Sequence, residues 1–262
     1  EDVTLRSIEG ADDTTIQSTG SDIVELEADD NGLTIDGFTL DANGQGVQAV
    51  DRTGVEASLS VQDSVITSSG GGQGSDLVTA DGDAGTVVIN NSTFEADALT
   101  GQNGLAIPDG QTGVDLTVTN TNFTGFDNTG AVALDDAKGD LNAFTFEDNF
   151  FDDNTRHIDG DDIGSYDLNT IFADNTFDQF VLIEDSNGDN VNAIEGDDVG
   201  TAVAAVGSSQ TVIVGPGDYG ANSLTLDDAQ STLTSVNGPE HTTIALDADG
   251  NHILSVATVS RG

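Results

Sequence analysis

The sequence predicts an all-β solenoid, a parallel β-helix with coils of about 26–29 residues. Two observations carry that prediction. The first is a short repeat: LTIDGFTL (33–40), LSVQDSVI (59–66), VVINNSTF (87–94), LTVTNTNF (116–123), FTFEDNFF (144–151) and TIFADNTF (170–177). The apolar residues closing these segments, Leu40, Ile66, Phe94, Phe123, Phe151 and Phe177, are 26, 28, 29, 28 and 26 residues apart. Spacing of this kind marks stacked units, each too thin to bury its own inner face. The second observation is that no block carries a helical pattern long enough for a βαβ crossover, so stacked strands remain.

Each block divides into short strands. In the third, 77–80 reads as one strand, 81–85 as a Gly/Asp turn, 86–89 as a second strand, 90–92 as a corner and 93–96 as a third strand. The next block repeats this with 105–107, 115–118 and 122–123. Val87 and Ile89, and Leu116 and Val118, alternate with polar residues at the period of a strand with one face buried. Stacked coils place equivalent residues above one another, so Phe94, Phe123, Phe151 and Phe177 are expected to form an internal aromatic column. Asn91, Asn120 and Asp148 are expected to form a polar ladder at the preceding corner.

The pattern changes after residue 184. A turn is read at 185–190 and a short helix at 201–206 (TAVAAV), with Thr201 as its N-cap. Strands follow at 211–219, 224–226 and 233–236. A longer repeat appears here. TLTSVNGPEHTTI (232–244) aligns without a gap on TLRSIEGADDTTI (4–16), at an offset of 228 residues with seven identities in thirteen. GSDIVEL (20–26) then matches GNHILSV (250–256) after a two-residue insertion. The expectation is one β-helix module over 1–200, with 201–262 as the start of a second, tandem module or as a capping or assembly segment. Residue 1 would then fall inside a repeat, as in a processed product or a segment of something longer.

The run Val212-Ile213-Val214-Gly215-Pro216-Gly217-Asp218-Tyr219, preceded by a short helical stretch, resembles the opening of right-handed parallel β-helix proteins of the pectate-lyase-like superfamily. The recurrent Asn and Phe positions of the coils at 33–184 resemble the repeats of the same superfamily. The resemblance implies a right-handed solenoid over nearly the whole chain. It implies no single activity, because that fold hosts lyases, hydrolases, epimerases, adhesins and structural proteins.

Composition narrows the function classes. The formal net charge is −43, with five Lys and Arg against 48 Asp and Glu. Such a surface repels itself unless salt or bound cations screen it. The even spread of acid along the chain resembles secreted proteins of halophilic archaea or salt-adapted bacteria. There is no basic stripe for nucleic acid and no attraction to an anionic membrane. Cysteine is absent, and no apolar run reaches the length of a membrane span.

Candidate chemistry is sparse. The densest constellation is Arg156, His157, Asp159, Asp161 and Asp162, which offers a base, a cation and acids within seven residues. Simple alternation would put His157, Asp159 and Asp161 on one side of an extended stretch. Oxygen ligands for a structural Ca²⁺ or another cation are sought at Asp185, Asn187 and Asp189, and at Asp81 and Asp83. No further cofactor is expected. The leading expectation is a structural or adhesive protein, extracellular or on a cell surface, that forms a rod, stalk or filament by end-to-end stacking on copies of itself. The alternative is a carbohydrate-active or glycan-binding β-helix, a lyase or hydrolase with a lateral groove around 152–162.

Overall fold

The structure is a computed structural model. It describes residues 2–26, 32–43, 48–52, 57–69, 76–79, 85–96, 103–107, 113–126, 130–134, 143–160, 168–196, 199–221, 224–226, 231–236, 238, 240–246 and 254–256.

The chain winds into a parallel β-solenoid of about 6 turns. Three sheets form its walls. The first stacks Val3–Arg6, Gly32–Asp36, Ser58–Gln62, Gly85–Asn90, Val114–Thr119 and Ala143–Glu147. The second stacks Thr15–Ser18, Thr39–Ala42, Val65–Ser68, Thr93–Ala96, Asn122–Thr124, Phe150–Asp152 and Thr176–Phe177. The third begins with Val24–Glu25, Val50–Asp51, Val78–Thr79, Leu105–Ala106, Gly130–Ala133 and Arg156–Asp159. All pairings among these strands are parallel.

The predicted column is the register of the second sheet. Leu40 pairs with Ile66, Ile66 with Phe94, Phe94 with Phe123, Phe123 with Phe151 and Phe151 with Phe177. Ile16 extends it one coil earlier, opposite Leu40. The four rings stack with centroids 4.9, 5.0 and 5.0 Å apart and interplanar angles of 21, 10 and 14°. The strand spacing of a sheet is about 4.8 Å, so the backbone repeat itself sets the ring spacing. Facing this column from the first sheet are Ile35, Leu59, Val61, Val87, Ile89, Leu116 and Val118, all buried.

The corner between the first two sheets is built from two adjacent polar positions. Asp63, Asn91, Asn120 and Asp148 take the left-handed conformation, with φ of 49, 49, 51 and 58°. Asn and Asp tolerate that region better than other side-chain-bearing residues. Asn91 donates to Asp63, and Asn120 donates to Asn90 at 3.3 Å, so this outer position is a partial ladder. The stronger ladder is one residue further on and faces inward. Ser64, Ser92, Thr121 and Asn149 are buried. The amides of Phe38, Ser64, Thr121 and Asn149 donate to the side chains of Ser64, Ser92, Asn149 and Asn175 in the following coil, at 3.3, 3.4, 3.0 and 3.0 Å. Each corner amide is turned away from its own strand ladder, and the next coil supplies its acceptor.

The sixth repeated segment departs from the strand pattern. Residues Leu168–Asp174 form a helix, α1, in place of another strand of the first sheet. Only Thr176–Phe177 returns to the second sheet. Leu168 and Ile171 are buried against the core, and Phe172 stacks on Phe177 at 5.3 Å. An end coil has nothing above it, and a helix covers the core without offering an open strand edge.

The third sheet continues by a different route. Asn190–Glu195 pairs antiparallel with Arg156–Asp159, and Val181–Glu184 pairs antiparallel with Asn190–Glu195. Thr211–Val214 then pairs antiparallel with Val181–Glu184. Val199–Ala205 forms the second helix, α2, slightly earlier than the predicted 201–206. Parallel winding resumes beyond it. Thr211–Val214 pairs with Thr232–Ser235, Gly217–Ala221 with Thr242–Leu246, and Leu224–Leu226 with Leu254–Val256.

The strand Val181–Glu184 is buried on both faces. Leu182 belongs to the first core, and Ile213 opposite it packs there too. Val181 and Ile183, with Val214 and Val212 opposite them, belong to a second core with Val199, Ala202, Val203, Val206, Tyr219 and Leu224. One stretch of sheet therefore divides two apolar interiors. Strand alternation assigns neighbouring residues to opposite sides.

Candidate functional site

The strand Arg156–Asp159 carries the densest predicted constellation, and the structure divides it. Arg156 and Asp159 lie on the outer side. The Arg156 guanidinium meets Asp159 at 2.7 Å and Glu195 at 2.8 Å, with its Nε 2.9 Å from the second Glu195 oxygen. Burial opposes the Arg156 charge, but Glu195 and Asp159 outweigh it and hold the group protonated more firmly than usual. This network borders a cavity of about 150 Å³ under α2, lined also by Ile183, Ala193, Thr201 and Ala205. Glu195 came from a distant segment, and only its antiparallel register with Arg156 brings the two together.

His157 points the other way and is fully buried. Its ring packs edge-on to Phe151 at 5.6 Å and tilted to Phe177 at 5.2 Å, at the end of the aromatic column. Nε2 lies 2.6 Å from the Gln179 carbonyl, and Nδ1 lies 3.2 Å from Asn154 Nδ2. The carbonyl can only accept, and the amide nitrogen can only donate. Neutral imidazole with its proton on Nε2 satisfies both. Burial pushes the His157 pKa down to about 4, against the Gln179 carbonyl and the charge of Asp152. Asp152 is itself shifted upward, by burial and by its neighbour Asp178. His157 and Asp159 thus do not share a side. Asp161 and Asp162 lie outside the described residues.

Asp185, Asn187 and Asp189 form the tip of the antiparallel hairpin. Asp185 Oδ1 accepts from the amides of Asn187 at 2.7 Å and Asp189 at 3.1 Å. These amides hold its carboxyl below the usual range. Gly188 takes φ +88° to close the turn. The alternating Asp-x-Asn-x-Asp pattern thus coincides with a turn that caps its own backbone. Asp81 and Asp83 lie outside the described residues. Among the described residues no group of three or more His, Cys, Asp or Glu is placed to hold a metal ion, and no helix is long and apolar enough to cross a membrane.

Two buried polar positions are not evident from the sequence pattern. The inner ladder runs through Asn149, not its neighbour Asp148, and its signal is that Ser64, Ser92, Thr121, Asn149 and Asn175 all stand two places before the apolar residue that closes each segment. Arg52 is fully buried, with its Nε donating to the Ala57 carbonyl at 2.6 Å. No signal marked that arginine as internal.

The longer repeat reappears in the hydrogen bonds. Ser7 Oγ reaches the Gly10 carbonyl at 3.3 Å and Thr14 Oγ1 at 2.7 Å. Ser235 Oγ reaches the Gly238 carbonyl at 3.3 Å and Thr242 Oγ1 at 2.7 Å. The offset is 228 residues at every position. The two-residue insertion also holds its place, since Val24 and Leu254 each open the third strand of their coil.

Fold and site together define a parallel β-solenoid whose best-placed charged groups tie coils to one another. Comparison with protein-family models, with curated proteins and with solved structures returns no match.

Proposed function

We propose that the protein is a structural or adhesive repeat protein, one segment of a rod, stalk or filament outside the cell. The observation that carries this reading is the repeated coil, with the same three-residue hydrogen-bond pattern at Ser7 and at Ser235. A solenoid that restarts its own first coil is built to be continued. We read residues 1–200 as one module and 201–262 as the beginning of the next. Among the described residues, the strands Val3–Arg6 and Thr232–Ser235 each stand at the end of their sheet. Such edges template further strands, and a head-to-tail contact between them does not close on itself.

The charge of −43 fits this role in saline surroundings, where the rods stay apart but are screened. Cations gathered by that surface, Ca²⁺ at the hairpin tip among them, belong to the same proposal. Arg156, His157 and Asp159 favour this reading over glycan chemistry. One is buried, and the other two are engaged with each other.

Electron microscopy of the pure protein in low salt, then in molar NaCl with and without CaCl₂, tests the proposal. Regular end-joined rods are expected at high salt. Uniform single particles under every condition would overturn it and make a glycan-binding and degradation screen the next step.

A further inference from the structure

The outer face of the first sheet differs from the rest of the acidic surface. Between its inward residues, three outward rows run along the winding axis, one residue per coil. The middle row is Thr4, Thr34, Ser60, Val88, Thr117 and Thr145, in register and without a charge. On one side of it lie Asp2, Gly32, Ser58, Thr86, Asp115 and Ala143. On the other lie Arg6, Asp36, Gln62, Asn90, Thr119 and Glu147. The chain holds 48 acidic residues, yet between the first and last of these strands the face carries only Asp36 and Asp115. The second sheet's outer face, by contrast, sets Asp41, Glu95 and Asp152 in one row.

The face also has relief. A groove of about 230 Å³ lies along the first flanking row and the middle row, lined by Gly32, Ser58 and Thr86 and by Thr34, Ser60 and Val88. In the second flanking row the same coils carry the longer Asp36, Gln62 and Asn90. A half-turn about an axis parallel to the winding lays the middle row on its own copy and each flanking row on the other. Gln62 and Asn90 of one copy then face the groove of the second. The charges match as well. Arg6, paired with Asp36 at 3.1 Å, meets Asp2. Asp36 meets Gly32, Asp115 meets Thr119, and Glu147 meets Ala143. No carboxylate meets a carboxylate. A half-turn about an axis along the strands would instead set groove on groove and ridge on ridge.

We infer that two copies of the protein pack side by side and parallel through this face, as an isologous pair. Six strands about 4.8 Å apart, each showing about 17 Å of chain, span about 500 Å². Two such faces bury about 1,000 Å² together, the lower bound of a specific interface. Thr, Ser and Val are short and stiff, so covering them orders little that was free. At 1 M salt the screening length is about 3 Å, so acids elsewhere on the surface cease to oppose the approach. The contact lies on the side of the winding. It adds to the end-to-end reading and does not depend on it.

Sedimentation should show monomers in low salt and a concentration-dependent dimer in molar NaCl. Ser60→Asp with Val88→Asp gathers carboxylates on the two-fold axis and should weaken the dimer at least tenfold. Val65→Asp with Thr93→Asp adds the same charge to the second sheet's outer face and should leave the dimer unchanged. The chain has no cysteine, so a single introduced thiol reports one contact. Thr34→Cys and Thr145→Cys proteins are each treated in molar NaCl with a short bis-maleimide, which reaches across the about 10 Å between packed sheets. Each variant should link to itself. A mixture of the two, one isotopically labelled, should give no product joining one variant to the other, since parallel packing holds the two positions about 19 Å apart along the axis. Monomers under every condition, a dimer that Ser60→Asp with Val88→Asp leaves intact, absence of self-linked product, or a product joining the two cysteine variants would each overturn the inference. By microscopy, end-joined rods one winding wide would overturn the paired face and leave the rod. Side-by-side pairs without end joining would overturn the rod and leave the face.

Discussion

His157 is neutral because its surroundings leave no room for a second proton. Its Nε2 proton is committed to the Gln179 carbonyl, and its Nδ1 faces the amide of Asn154. The unfolded chain takes up a proton near the ordinary histidine value of about 6.5, whereas the folded chain refuses it until about pH 4. Stability therefore falls as pH drops through that window and levels off below it, by about 3 kcal/mol at most. Asp152 works in the other direction. Its raised carboxyl protonates earlier in the fold than in the unfolded chain and returns some stability at the acid end. Urea midpoints between pH 7 and pH 4 should fall steeply for the native protein and more gently for His157→Phe. Equal slopes would show that the histidine does not govern the acid response. None of this was visible in the sequence, where Arg156, His157 and Asp159 looked like neighbours in one site. An irregularity in the pairing between Arg156 and Ile158 breaks the simple alternation, so that His157 and Ile158 are both buried, and the distant partners Gln179 and Glu195 decide which side each polar residue serves.

The aromatic column is the most legible element, because a solenoid converts equal spacing in sequence directly into contact in space. Phe123 sits at its centre, fully buried between two parallel rings. Phe123→Ala should cost about 4 kcal/mol, near the usual value for emptying a buried phenylalanine site. Phe177, half-buried at the capped end, should cost distinctly less. Urea unfolding of the two variants checks the order, and equal losses would mean that the column does not carry the core. Helix α1 was not legible. Its residues 170–174 fit the repeat as well as any strand. Among the described residues no strand of the first sheet follows Ala143–Glu147, and position in the stack leaves no mark in local sequence. The hairpin tip is legible as a turn, since Asp185 to Asp189 carry the Asp, Asn and Gly that such a turn needs. Its antiparallel pairing is not, since local pattern does not encode strand direction.

Across the whole molecule, charge and repeat pull in opposite directions. A net charge of −43 disfavours any compact arrangement in dilute buffer, and stacking copies end to end concentrates that charge further. At 0.01 M salt the screening length is about 30 Å, and at 1 M it is about 3 Å. The unfolding temperature should therefore rise markedly between those conditions, even with no divalent ion present. Thermal scans over NaCl and over KCl should show the same rise. A rise seen only with Ca²⁺ would point to a particular bound ion in place of general screening.

The sheet that divides the two cores also fixes how the chain would answer to force. In the solenoid the backbone hydrogen bonds run from coil to coil, along the axis of winding. Tension along that axis loads the coils one after another, as links in series, so the chain yields at its weakest link. Between the two windings that link is the pairing of Val181–Glu184 with Thr211–Val214, four residues long and antiparallel. It is braced on both faces, by Leu182 and Ile213 on one side and by Val181, Ile183, Val212 and Val214 on the other. Parting it exposes two interiors at once. The join between successive windings is thereby reinforced where a tether would otherwise tear.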